Sequence, residues 1–203
     1  MPTLGIARAL LAAVALAPLS ALAVEVGDAA PDFTLRDLDG APVHLADLKG
    51  RIVVLEWFNP GCPFVKASHT KGSLVDAAAR ATREGVVWLA INSAAPGKQG
   101  AGVEVNKAAR TEWRLAHPIL LDESGAVGKA YGATNTPHLM VIDQDGLLVY
   151  RGAVDNSPDG ERGAPEGGRL VEYAAVAVED LRAGKPIRVA QTKAYGCGVK
   201  YER

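Results

Sequence analysis

A chain of 203 residues with 22 Lys and Arg against 23 Asp and Glu has no basic excess with which to hold nucleic acid or an anionic membrane surface. Its hydrophobic fraction of 48% is that of a globular protein and excludes a disordered one. Two cysteines, Cys62 and Cys197, could pair as a structural disulfide in an oxidising compartment, a reading weakened because a domain of this length can bury enough core without one.

The first element reads as a leader. From Gly5 to Ala23 the only charge is Arg8, the run Ala9–Ala17 is apolar, and Ala21-Leu22-Ala23 has the small-residue spacing that a signal peptidase reads. The run is shorter than the about 20 apolar residues of a membrane span. The expectation is a signal peptide over 1–23 and one domain over 24–203, exported to a periplasmic or secreted location, with no stable membrane insertion after cleavage. A retained anchor is the alternative.

Phe33-Thr34-Leu35, the turn Asp39-Gly40 and Val43-His44-Leu45 predict a short hairpin. Arg51–Phe58 is β-branched and aromatic almost throughout, as in a strand buried on both faces. Asn59-Pro60-Gly61 breaks it, and Pro63 suits the first turn of a helix expected from Cys62 to Arg83. Val86–Ile91 is a second buried strand, followed by a rim loop to Gly102 that reads as flexible, a helix over 103–115, a strand at Pro118–Leu121 and a short helix over 124–131. Leu139–Asp143 and Leu147–Tyr150 flank a Gln144-Asp145-Gly146 turn and predict a β-hairpin. A Gly/Pro-rich stretch leads to a last helix, 170–183, and a polar tail carrying Cys197. This order describes an α/β fold with a mixed sheet, its early strands parallel through helical crossovers and its late hairpin antiparallel.

Cys62 falls where a buried strand gives way to a helix. Free N–H groups and the helix dipole stabilise a thiolate there, the reactive form of cysteine. An inert buried cysteine is the bland reading. Glu56 lies six residues earlier within the apolar strand, where burial predicts a raised pKa and a capacity to relay protons to the thiol, unless it faces outward at a sheet edge. Thr136-Pro137 precedes the hairpin strand. A proline there can carry a cis bond and present backbone to a substrate, or be an ordinary trans strand start.

Together these features resemble the thioredoxin-like superfamily, and Trp57-Phe58-Asn59-Pro60-Gly61-Cys62-Pro63-Phe64-Val65 is similar to its redoxin branch, related to alkyl hydroperoxide reductase and thiol-specific antioxidant proteins. The tail Tyr195-Gly196-Cys197-Gly198-Val199-Lys200-Tyr201 is similar to the ending of peroxiredoxin-like members. The resemblance implies a thioredoxin-like sandwich, a central mixed β-sheet flanked by helices with an N-terminal β-hairpin extension. It also implies that Pro137 is cis and packs against Cys62, and that Glu56 is the family's buried acid. The departures are specific. Val65 stands where thioredoxins carry a second cysteine. Leu55 and Asn59 replace the proline and threonine of the peroxidatic Pro-x-x-x-Thr-x-x-Cys run, and Pro137 stands at the peroxiredoxin arginine position.

Other constellations carry less. Cys62, His138 and Cys197 could form a Cu(I) or Zn set. His69, two turns beyond Cys62, reads as a solvent-facing helix residue, and Lys66 as a weak positive field. Asp155–Glu166 matches a calcium loop in part but reads as a solvated loop. The expectation is an exported thiol oxidoreductase that needs no cofactor. Cys62 is its nucleophile, Glu56 a proton relay, the Thr136-Pro137 backbone a substrate platform and Cys197 the resolving thiol, the alternatives being a resolving partner chain, a free Cys197 thiol or a permanent bridge. Its partners are a thiol electron donor or disulfide-bearing protein, with a small hydroperoxide as the competing substrate. A metal or partner carrier is the non-enzymatic alternative.

Overall fold

The computed structural model describes residues 23–163 and 165–202, so the expected leader lies outside the described residues but for its last residue. The elements in chain order are β1 (Thr34–Asp37), β2 (Pro42–His44), a 3-10 turn (Leu45–Leu48), β3 (Val53–Trp57), α1 (Pro63–Thr70), α2 (Ala77–Arg83), β4 (Val87–Asn92), α3 (Val103–Glu112) and β5 (Ile119–Leu121). There follow α4 (Ala126–Ala130), β6 (Asn135–Thr136), β7 (His138–Ile142), β8 (Leu148–Gly152), α5 (Tyr173–Arg182) and β9 (Cys197–Gly198). Seven strands form one sheet in the order β2-β1-β5-β4-β3-β7-β8. The β3–β4 and β4–β5 pairs are parallel, and β1–β2, β1–β5, β3–β7 and β7–β8 antiparallel.

All five residues of β3 are buried because β3 is interior to the sheet and both of its faces are covered. Val53, Leu55 and Trp57 point to one core with Leu89, Ile91, Met140 and Tyr131. Val54 points to the opposite core with Trp88, Leu139, Val141 and the Ala174–Val178 face of α5. This alternation sends Glu56 to the α5 side and places Cys62, just past the strand, in a third cluster with Phe58, Val65, Ala90 and Ile119.

The helix expected from Cys62 to Arg83 is two helices. Between them Gly72 packs under the carbonyl of Gly160 so closely that a Cβ would collide with it. Ser73 turns inward to donate a hydrogen bond to the buried Asp155 carboxylate. Asp76 then takes a left-handed φ of 57° before α2 starts. The stretch expected as a solvated loop is exposed at Pro158, Asp159, Arg162 and Glu166, but Asp155, Ser157 and Gly160 are interior: Asp155 also accepts from the Tyr195 hydroxyl at 3.0 Å and the Ser157 N–H at 2.8 Å. Among the described residues no helix is long and apolar enough to cross a membrane.

Candidate active site at the Cys62–Cys197 pair

Cys62 is the N-cap of α1, with Pro63 at the first helical position. Phe58-Asn59-Pro60-Gly61 carries the chain from β3 to that cap. The Asn59 side chain makes the turn by accepting from Gly61 N–H at 2.8 Å and donating to the carbonyl of Gln99 at 2.9 Å. Gln99 replies by donating to the carbonyl of Gly61 at 2.9 Å. The loop over 95–102 is therefore fastened across the site. Asn92 Nδ2 donates to Gly100 O at 2.8 Å, and Asn106 Nδ2 to Gly102 O at 2.7 Å. It is not the loose rim that its glycines suggest. Asn59, at the peroxiredoxin threonine position, commits its carboxamide to this clasp.

The Thr136–Pro137 bond is cis. The carbonyl of Thr136 lies 3.1 Å from Cys62 Sγ, so the peptide before Pro137 borders the thiol as the resemblance implies. On this backbone sits the tail. β9 pairs antiparallel with β6, Thr136 opposite Cys197 and Asn135 opposite Gly198. Gly196 is fitted to the spot, with a φ of 102° and a Cβ position that would collide with Thr136 O. The register brings Cys197 Sγ to 2.8 Å from Cys62 Sγ, both cysteines being free. That separation is inside van der Waals contact of two sulfurs and outside the bonded distance of about 2.05 Å. Cys62 is only 1% exposed, while Cys197 is half-buried.

The two thiols are electrostatically unequal. Burial opposes ionisation of Cys62, but hydrogen bonds from the Cys197 thiol and from the N–H groups of Val65 and Cys197 outweigh it and hold its pKa below the ordinary value. Burial, then the neighbouring Cys62 sulfur as hydrogen-bond partner and charge, pushes Cys197 up to about 11. The first proton to leave the pair therefore comes from Cys62, so ionisation places the charge at the start of α1 and the remaining proton on Cys197.

Glu56 differs from expectation. Its carboxyl is fully buried, and burial alone would raise its pKa. The charge and hydrogen bond of His69 and the hydrogen bond of the Trp88 indole N–H outweigh burial and hold it below the usual carboxylate value. His69 Nε2 is 2.7 Å from Oε1, Trp88 Nε1 donates to Oε2 at 3.0 Å, and His117 Nε2 is 4.0 Å away. His69 is thus a buried partner of the sheet and not a solvent-facing residue. It also packs on Phe58 and Trp113 at ring-centroid distances of 5.8 and 6.0 Å. The hydrogen bonds of Glu56 go to this cluster and none reaches Cys62. The sequence reading missed His117 and Trp88 in this role. Cys62, Val65 and His69 at i, i+3 and i+7 do share one helix face, a signal that could have turned His69 inward.

Lys66 pairs with Glu112 at 3.2 Å on the surface. His138 lies in register opposite Trp57, buried, its pKa lowered to about 4 by burial and the charge of Arg151. Among the described residues no three His, Cys, Asp or Glu side chains gather to hold a metal ion, so Cys62, Cys197 and His138 are not assembled as a ligand set. A cavity of about 510 Å³ opens between α2 and α5, lined by Val54, Leu74, Trp88, Leu139 and Val178 among others and by neither cysteine.

Residues 25–165 match the redoxin family. The chain belongs to that family. The thiol-disulfide oxidoreductase ResA of Geobacillus thermodenitrificans (strain NG80-2) is 33% identical over 127 residues, covering 62% of this chain and 68% of that protein. The chloroplastic peroxiredoxin Q of Oryza sativa subsp. japonica is 29% identical over 138 residues, covering 63% and 58%. The crystal structure of an uncharacterized conserved protein from Geobacillus kaustophilus superposes with a TM-score of 0.76 at 33% identity, over 88% of this chain and 93% of that one. The fold is thioredoxin-like, and this redoxin is an oxidoreductase that works through thiols. The family match ends at 165, short of the tail that supplies Cys197.

Proposed function

We propose that this redoxin is an exported thiol–disulfide oxidoreductase in which Cys62 and Cys197 form the redox pair. The observation that carries the reading is the 2.8 Å approach of the two sulfurs at the N-cap of α1. The Cys62 thiolate attacks one sulfur of an incoming disulfide. A Cys62–substrate bond forms, the substrate's own S–S bond breaks, and the departing thiolate takes a proton from water. Cys197 then loses its proton to solvent and attacks Cys62 Sγ, closing the Cys62–Cys197 bond and releasing the second substrate thiol. The partners are disulfide-bearing molecules and a thiol donor that returns the pair to the dithiol state. The Thr136–Pro137 backbone is the platform on which the reacting strand lies, a position held here by the chain's own tail.

Glu56 serves through His69, tying β3 to the helix that presents Cys62. The relay role suggested by its position lacks a hydrogen bond to either thiol. Export rests on the leader pattern over 1–23, with the domain following from Val24. A hydroperoxide substrate has less support. Asn59 is tied up in the loop clasp and Pro137 offers no guanidinium, although a resolving thiol beside Cys62 would equally discharge a sulfenic acid.

Mass spectrometry of the reduced protein decides between the substrates. Exchange predicts fast loss of two hydrogens with a model disulfide, a trapped Cys62 adduct in Cys197→Ser, and little reaction with one equivalent of hydrogen peroxide. Fast peroxide oxidation with Cys62 sulfenic acid trapped in the variant would select the peroxidase. Silence toward both would sink the redox pair.

A further inference from the structure

Four segments of the chain meet around the two sulfurs. Residues 57–65 carry Cys62, and the loop over 93–103 is clasped to them through Gln99 and Gly61. Residues 133–138 carry the cis bond beside Cys62, and the tail over 193–201 pairs with them and carries Cys197. Across all four there is no Asp or Glu, while Lys98, Lys193 and Lys200 supply positive charge. The chain as a whole has more acids than bases, 23 against 22, so a rim without acids is a local departure from its composition.

Two of those lysines are held beside the sulfurs. Lys98 precedes Gln99, whose side chain bonds the carbonyl of Gly61, the residue before Cys62. Lys200 lies just past Cys197 in the tail, and its carbonyl accepts from Ala95 N–H at 2.9 Å. Lys98 N–H in turn donates to Ala95 O at 3.0 Å, so both lysines stand on backbone tied together through Ala95. The Lys200 ammonium is felt at a reacting sulfur: burial and the Cys62 sulfur push the Cys197 thiol up, and Lys200 acts against them. Lys98 is exposed and Lys200 half-buried. Among the described residues neither is in an ion pair, in contrast to Lys66, which Glu112 neutralises at 3.2 Å.

The nucleophile is itself an anion, so a Cys62 thiolate alone repels an anionic disulfide and attracts a cationic one. Two unpaired ammonium groups on its rim outnumber that single charge and reverse the preference. Resting on the redox pair proposed above, we infer that the substrate of this site is a disulfide flanked by carboxylates, drawn in by Lys98 and Lys200. The Cys62 thiolate attacks one substrate sulfur. The Cys62–substrate bond forms, the substrate S–S bond breaks, and its electron pair leaves on the second substrate sulfur, which takes a proton from water. Cys197 gives its proton to solvent and closes on Cys62, releasing the first half as a thiolate that is protonated in turn. One disulfide becomes two thiols while the protein's two thiols become one disulfide. The negative charge shared among the sulfurs during each exchange lies in the same positive field, so the lysines favour reaction as well as encounter.

The test measures second-order oxidation rates of the reduced full protein by quenched mass spectrometry with three disulfides: anionic oxidised glutathione, cationic cystamine and uncharged hydroxyethyl disulfide. Each rate is divided by that of the same disulfide with mercaptoethanol, which removes intrinsic reactivity. At low salt glutathione should lead cystamine by at least about tenfold. The lead should fall toward unity in about 1 M salt, where screening acts within about 3 Å, and also in the Lys98→Glu/Lys200→Glu variant. Because the readout is a ratio within each protein, a general loss of reactivity cancels from it. Equal rates, a cystamine lead, or a glutathione lead that survives salt or the substitutions overturns the inference, while oxidation by hydroxyethyl disulfide keeps the redox pair standing. A protein oxidised by none of the three takes down both.

Discussion

Gly196→Ala isolates the seating of the tail. At a φ of 102° an L-residue is strained by about 1–2 kcal/mol. The new Cβ would also collide with Thr136 O and come within 3.3 Å of Pro137 Cδ, so the segment must retreat by about 1 Å to reach an ordinary contact. That retreat stretches the Asn135 Nδ2–Gly196 O hydrogen bond, already 3.2 Å long, beyond useful range, a loss of about 1 kcal/mol. Together the opening of the tail becomes easier by about 2–3 kcal/mol, or about 30- to 150-fold. Amide hydrogen exchange at Val199, whose N–H is bonded to Thr134 O, should accelerate by that factor in the reduced protein, while amides of β3 keep their protection because the opening is local. Disulfide closure after oxidation should slow in parallel. Unchanged exchange at Val199 would refute the argument that β9 is a fitted strand. Equal acceleration in β3 would show that the tail is part of the global folding unit.

Cys197→Ala removes the thiol beside Cys62 but leaves the N–H groups, so alkylation of Cys62 by iodoacetamide should titrate at higher pH than in wild type. A midpoint that does not rise would remove Cys197 from the stabilisation of the thiolate. His69→Ala strips the buried Glu56 of its nearest partner, and breaking such a pair costs about 3–5 kcal/mol. Urea unfolding should show this loss, and a change under about 1 kcal/mol would mean that the Trp88 indole N–H satisfies the carboxyl alone. Acid should weaken the fold before it weakens most carboxylate ion pairs. His117 and His138 are held down to about 4, mainly by burial, so between about pH 6.5 and 4 the unfolded chain binds more protons than the folded one. Stability therefore rises with pH across that window. Each ring contributes on the order of 3 kcal/mol, fully present above the unfolded value and lost as pH falls toward 4. Glu56, also lowered, acts in the same direction at still lower pH. Unfolding free energies equal at pH 7 and pH 4.5 would contradict the neutral burial of both rings.

The parts of this molecule that sequence makes visible are those whose environment is encoded within a few residues. β3, β4 and the β7–β8 hairpin are apolar runs because both faces of the central sheet are covered. Cys62 stands out because strand, Pro-Gly break and Pro63 are contiguous. The broken helix is different. Its cause is the Gly160 carbonyl over Gly72 and the Asp155 carboxylate that draws in Ser73, both supplied from more than eighty positions downstream. A continuous helical pattern carries no trace of them.

Glu56 shows the same limit acting on chemistry. Its burial was legible from the apolar residues around it, and burial alone argues for a raised pKa and a proton held for the thiol. The sign is decided by partners: Trp88 arrives through the β3–β4 pairing, and His69 by the turn of α1 back over the sheet. His117 comes close through the segment leading into β5. The placements of Trp88 and His69 thus convert an expected proton donor into a buried anion that anchors the helix. The acid at this strand position can be read locally, but its charge cannot, and its role follows the charge. A Glu56→Gln variant should accordingly lose stability while the pH midpoint of Cys62 alkylation stays near that of wild type. A shifted midpoint with unchanged stability would restore the relay.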